Sequence, residues 1–117
     1  MEEIVSSDTL RKNRVPPGQR LVDSLPVLDY KGTPNIDLEK WAFNIKGLVP
    51  EEISLSYKET MNLPKTKVYF DIHCVTTWSK LDTTWEGISS RTFTKLANPD
   101  STAKFVLIHS IDGYTTN

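Results

Sequence analysis

The sequence predicts an α+β domain, a mixed β-sheet with short helices. Three observations carry this. Trp41-Ala-Phe-Asn-Ile-Lys-Gly47 and Lys67-Val-Tyr-Phe-Asp-Ile-His-Cys74 both alternate apolar and polar residues, the mark of half-buried strands. Between Ile88 and Ala97, by contrast, Ile88, Phe93, Leu96 and Ala97 recur near helical spacing.

Taken in order, residues 1–20 read as an extended N-terminal arm, because polar residues and Pro16-Pro17-Gly18 lack a sustained apolar period. Leu25-Pro-Val-Leu28 is a short apolar patch closed by a turn at Tyr30-Lys-Gly-Thr-Pro34. In the first strand Trp41, Phe43 and Ile45 share one face, and Gly47 ends it. Ser56-Tyr-Lys-Glu59 fits a capping box, in which the serine hydroxyl and the glutamate carboxylate satisfy unpaired amides at a helix start. Leu63-Pro64 stops that helix within about two turns.

The second strand places Val68, Phe70, Ile72 and Cys74 on one face and Tyr69, Asp71 and His73 on the other. Val75 to Trp85 reads as a polar turn bearing Trp78 and Trp85, and Asn98-Pro99 ends the second helix. Ala103-Lys-Phe-Val-Leu-Ile-His109 is nearly continuous in apolar residues and predicts a strand buried on both faces. Such a strand needs neighbours that the remaining elements scarcely supply, so the chain reads as cut short after Asn117.

Composition narrows the function. At 117 residues with 38% hydrophobic and 25% charged residues, the chain suits one small soluble domain. A formal net charge of -1 gives no electrostatic reason to expect nucleic acid. The acidic start, Met1-Glu-Glu-Ile, is unlike a secretory signal, and no run approaches the roughly 18 apolar residues of a membrane span. A cytoplasmic protein is expected.

Cys74 is the one cysteine, so no disulfide can form within the chain. As a free thiol on the apolar face of a strand it reads as a small buried hydrophobe. Its position at a strand end equally suits a nucleophile or a ligand to a soft metal. His73, adjacent on a strand, points away from it, and His109 comes near only if its strand lies alongside. Asp71, Asp82, Glu86 and Asp112 form no recognisable acid-base pair and read as solvated charges or turn caps. Trp78 and Trp85 are either core or the walls of a pocket for a flat ligand.

His73-Cys-Val-Thr-Thr-Trp-Ser-Lys-Leu-Asp-Thr-Thr-Trp-Glu-Gly87 resembles the cysteine segment of the sulfite oxidase family's molybdopterin-binding domain, most closely its prokaryotic oxidoreductase branch, which includes the protein-methionine-sulfoxide reductase catalytic subunit. Pro16-Pro-Gly-Gln19, Leu25 to Leu28, Trp41 to Val49, Leu63-Pro64 and His109 to Asn117 resemble that branch in the same order. The resemblance covers nearly all of the chain from about residue 14 and implies the N-terminal part of that fold, with residues 21–117 a partial molybdopterin-binding domain.

It further implies a cofactor of molybdenum with molybdopterin, with Cys74 as the metal's thiolate ligand. The implied cofactor-binding residues are His73, Cys74, Val75 and Thr76, and Tyr114 would line the substrate side. The implied activity is oxygen-atom or electron transfer on a small-molecule or sulfoxide-type substrate, with an electron-transfer partner. Val22 and Asp23 stand where animal and plant sulfite oxidases carry an arginine and an asparagine, and Thr76, Thr77 and Trp78 replace basic residues after the cysteine. Sulfite is therefore not the expected substrate. Family domains continue past the Gly113-Tyr114 segment, so a second chain or a missing segment would complete the pocket. The alternative is a non-catalytic remnant or interaction module on the same fold.

Overall fold

The computed structural model describes residues 1–29 and 31–117. In chain order the elements are β1 (Glu2–Val5), a 3-10 turn (Ser7–Leu10), β2 (Arg20–Leu21), β3 (Ala42–Ile45), β4 (Ile53–Ser56), α1 (Tyr57–Met61), β5 (Thr66–His73), β6 (Trp78–Gly87), α2 (Ser90–Ala97), β7 (Ile108–His109) and β8 (Thr115–Thr116). The α+β class is as expected. The chain divides into two compact units, Met1–Val27 with Pro64–Ser89, and Leu28–Leu63 with Ser90–Asn117.

The first unit is a four-stranded mixed sheet in the order β1-β5-β6-β2. β5 and β6 form its antiparallel centre, while β1 and β2 lie parallel to their neighbours at the edges. Residues 1–20 thus carry an edge strand, with Glu2 and Glu3 as charges on the edge. The stretch read as a tryptophan turn is mostly strand. Only 75–77 reverse the chain, and Trp78 onward returns along β5. Its threonines and tryptophans favour a pleated surface, which overrode the turn character of Asp82.

Asp82 marks a bulge instead. Phe70 faces Thr83 and Ile72 faces Lys80, so β6 has an extra residue here, and Asp82 adopts a left-handed φ of 56°. Opposite the bulge, Asp71 turns its carboxylate inward and accepts the Asp82 amide at 2.9 Å. Arg14 grips the same carboxylate through Nε and a terminal nitrogen at 2.9 and 2.6 Å, and reaches Asp82 Oδ1 at 2.7 Å. The Asp71 amide in turn donates to Asp8 at 3.3 Å. The Asp71 side chain is fully buried, and the buried residues described in this unit, Thr66, Asp71, Ser79 and Thr83, are all polar. Directed hydrogen bonds, more than apolar burial, hold the sheet in register.

In the second unit β3 pairs antiparallel with β4, which runs into α1. The capping box forms as expected: Glu59 N donates to Ser56 Oγ at 3.3 Å, and Ser56 N to the Glu59 carboxylate at 2.8 Å. Trp41 meets Tyr57 edge-on at 5.8 Å, and Phe43 stacks on Phe93 of α2 at 4.3 Å. Asn98, at a φ of 44°, stops α2 by donating back to Thr94, and Pro99 follows.

Residues 103–109 depart from the expected doubly buried strand. Only Ile108 and His109 pair, with Thr116 and Thr115, and Phe105 is 91% exposed. The apolar run lacks the paired neighbours that burial on both faces requires. The turn expected from Tyr30 begins at a residue outside the described set; Lys31 and Gly32 beyond it take positive φ.

Asp71 carries a testable energetic consequence. Arg14 holds its carboxyl below the usual carboxylate range, helped by the Asp82 amide against the opposing effect of burial. A depressed native value means that the stabilisation is fully present above the ordinary aspartate pKa, roughly 3.9, and is lost as pH falls through the lower native value. Asp71→Ala, which leaves the Asp82 amide unpaired and Arg14 with the exposed Asp82 carboxylate alone, is expected to cost about 1–3 kcal/mol at neutral pH. Urea unfolding followed by tryptophan fluorescence checks this, and the gap between the two proteins should close below about pH 4.

Candidate functional site

Cys74 is the residue at which β5 stops. Its amide donates to Trp78 O at 2.9 Å, and its carbonyl accepts Thr77 N at 3.0 Å, so 75–77 form a three-residue hairpin loop. Thr77 closes it with a φ of 75°. A β-branched residue is strained there, and the hydrogen bonds on either side hold it. The strand therefore ends abruptly, and Cys74 is only partly covered.

The turn also sets the sulfur's electrostatics. Sγ lies 3.2 Å from Thr76 Oγ1. That hydroxyl, then the Thr76 amide, holds the thiol below its ordinary range, with the Val75 amide adding to the effect against slight desolvation. Cys74 is thus not a buried hydrophobe, and the His73 ring turns to Ser79. It is a partly exposed sulfur inclined toward thiolate, a soft donor suited to a redox metal.

Several groups fasten this turn from behind. His73 Nδ1 lies 2.8 Å from Ser79 Oγ, directly across the strand pair. Ser79 donates to Gln19 Oε1 at 3.1 Å, and Gln19 Nε2 donates to the Cys74 carbonyl at 3.0 Å. Ser79 is completely buried, whereas the His73 ring reaches the surface. Arg20 N donates to Thr77 O at 2.8 Å and Val22 N to Ser79 O at 2.9 Å, zipping residues 19–22 along the loop and the start of β6.

Of the residues singled out from sequence, His73, Cys74, Val75 and Thr76 come together on this hairpin, with Val75 94% exposed at its tip. Tyr114 belongs to the second unit, where Gly113 turns at a φ of 91° and the Tyr114 carbonyl accepts Ser110 N at 2.8 Å. Ligand atoms of Asp8, Asp71 and His73 lie within 4.8 Å of one another. Both Asp71 oxygens already accept from Arg14, which argues against an open cation site.

Sequence reasoning gave Gln19 no role although it ends the Pro-Pro-Gly-Gln19 motif, and gave Ser79 none at all. Asp71 was expected to be solvated, yet it is the buried acceptor on which Arg14 closes, whereas Asp82 is exposed as expected. The available signal was the strand alternation itself, which put Asp71 and His73 on one face.

The family model described as oxidoreductase molybdopterin binding domain matches residues 30–117. This chain belongs to that family. An uncharacterized oxidoreductase of Bacillus subtilis (strain 168), YuiH, is 36% identical over 108 residues, covering 92% of this chain and 54% of that protein. The protein-methionine-sulfoxide reductase catalytic subunit MsrP of Campylobacter jejuni is 31% identical over 72 residues, or 62% of this chain and 24% of that protein. This molybdopterin-binding domain chain thus spans about half the length of the first relative and less of the second. No solved structure matches it. No helix among the described residues is long and apolar enough to cross a membrane.

The Thr76 contact can be tested by itself. Thr76→Val keeps the shape and removes the hydroxyl, so it is expected to raise the Cys74 pKa and slow alkylation at neutral pH by roughly two- to tenfold. Iodoacetamide rates across pH check this, since Cys74 is the chain's one thiol.

Proposed function

We propose that this domain serves oxygen-atom or electron transfer at a molybdenum centre whose protein ligand is the Cys74 thiolate. The observation that carries the reading is the placement of a thiolate-favouring Cys74 at a hydrogen-bonded strand end, in a chain of the molybdopterin-binding family. The donor chemistry fits, because a thiolate suits a soft, redox-active metal and the turn fixes its direction without a mobile loop.

When bound, the pterin-held metal supplies the redox chemistry. The chain's part is to bind and orient. Cys74 offers the sulfur, the exposed Thr76 and Val75 form the rim beside it, and His73 presents its ring at the surface nearby. Tyr114 is proposed on the substrate side, where a phenol can donate to a bound oxygen.

The likeness to a protein-methionine-sulfoxide reductase subunit favours a sulfoxide-type substrate. Sulfite fits less well. Val22 and Asp23 hold the place of an anion-binding pair, and Val22 is tied by its amide to Ser79 beside the cysteine turn. An electron-transfer partner would close the redox cycle, and the proposed location is the cytoplasm.

Cys74→Ser tests the ligand role, since serine nearly matches the size but lacks the soft donor. The variant purified from a cofactor-producing host is expected to keep the wild-type circular dichroism while losing most of its molybdenum and all sulfoxide turnover. Molybdenum at the wild-type level in the variant would refute ligation by Cys74. A folded wild-type chain with neither metal nor pterin would favour a non-catalytic module instead.

A further inference from the structure

The groups behind the cysteine turn form a chain with a direction. The Cys74 carbonyl can only accept, so the amide nitrogen of Gln19 must be the end that faces it at 3.0 Å. Turning the amide over would set two acceptors against each other there. The other end, Oε1, therefore faces Ser79 and takes its one hydroxyl proton at 3.1 Å. With that proton committed, Ser79 Oγ can only accept from His73 Nδ1 at 2.8 Å. The Ser79 side chain is buried away from water, which leaves no competing partner to reverse the order.

We infer that Gln19 is a positioning residue with two tasks: it anchors the Cys74 turn through the carbonyl and, acting through Ser79, holds the neutral His73 ring with its proton on Nδ1. In that neutral form Nε2 carries the lone pair. The unconstrained histidine side chain favours Nε2–H, so the protein selects this form. Resting on the function proposed above, Gln19 thereby fixes both the turn that offers the Cys74 sulfur and the His73 ring beside it.

The tautomer is readable without any metal. In a His109→Gln background, which leaves a single histidine, nitrogen-15 spectra of the metal-free chain at a pH where the ring is neutral are expected to show protonated Nδ1 and unprotonated Nε2. Gln19→Met removes the acceptor for Ser79, freeing its hydroxyl to donate to His73, and should return the ring to the Nε2–H form. Gln19→Glu still accepts from Ser79 but cannot donate to the Cys74 carbonyl. It should keep Nδ1–H while the Thr77 amide exchanges faster with solvent.

Nε2–H in the wild type, or no change in Gln19→Met, overturns the relay. Absence of pterin from the wild type, with Nδ1–H intact, overturns the cofactor reading while the relay stands.

Discussion

The sheet that presents Cys74 is organised around one charged contact, the fork of Arg14 on the buried carboxylate of Asp71. Burying a carboxylate is expensive unless every lone pair is used. Here Arg14 fills both oxygens, and the amide of the Asp82 bulge adds a further donor. That arrangement ties together segments far apart in sequence: the N-terminal stretch, the middle of β5 and the bulge of β6. It also explains a left-handed aspartate in the middle of a strand. Asp82 bends β6 so that its amide reaches Asp71 and its side chain reaches Arg14.

The consequences run outward along the hairpin. Beyond the bulge, Lys80 and Ser79 return to register opposite Ile72 and His73, and Cys74, the next residue, opens the reversal over 75–77. Gln19, carried on the same N-terminal stretch as Arg14, grips that reversal from its inner side. The stretch therefore acts twice, with an ionic contact in mid-strand and neutral hydrogen bonds at the strand end. A polar core is directional in a way that an apolar one is not. It suits a site in which one sulfur must point a fixed way.

Much of this was legible in the sequence, and the exceptions share a physical cause. Strand alternation located β3 and β5, and the Ser56–Glu59 box and Asn98-Pro99 marked helix ends, because each depends on residues close in the chain. Reading Val75 to Trp85 as a turn failed because Asp82, a turn former, serves a bulge whose partner lies in another strand. The 103–109 run failed for the converse reason: its composition suits a buried strand, but burial depends on neighbours that composition does not supply. At the proposed site, the hairpin residues His73 to Thr76 were singled out by resemblance. Gln19 and Ser79 were missed because their roles exist only once β2 lies beside β6.

The proposed ligation brings family membership and the geometry of the cysteine turn to one atom, the Cys74 sulfur. The most direct measurement is molybdenum X-ray absorption on the chain purified from a cofactor-producing host. The account predicts a sulfur neighbour to the metal beyond the dithiolene pair of the pterin. A shell holding the dithiolene sulfurs alone would contradict it.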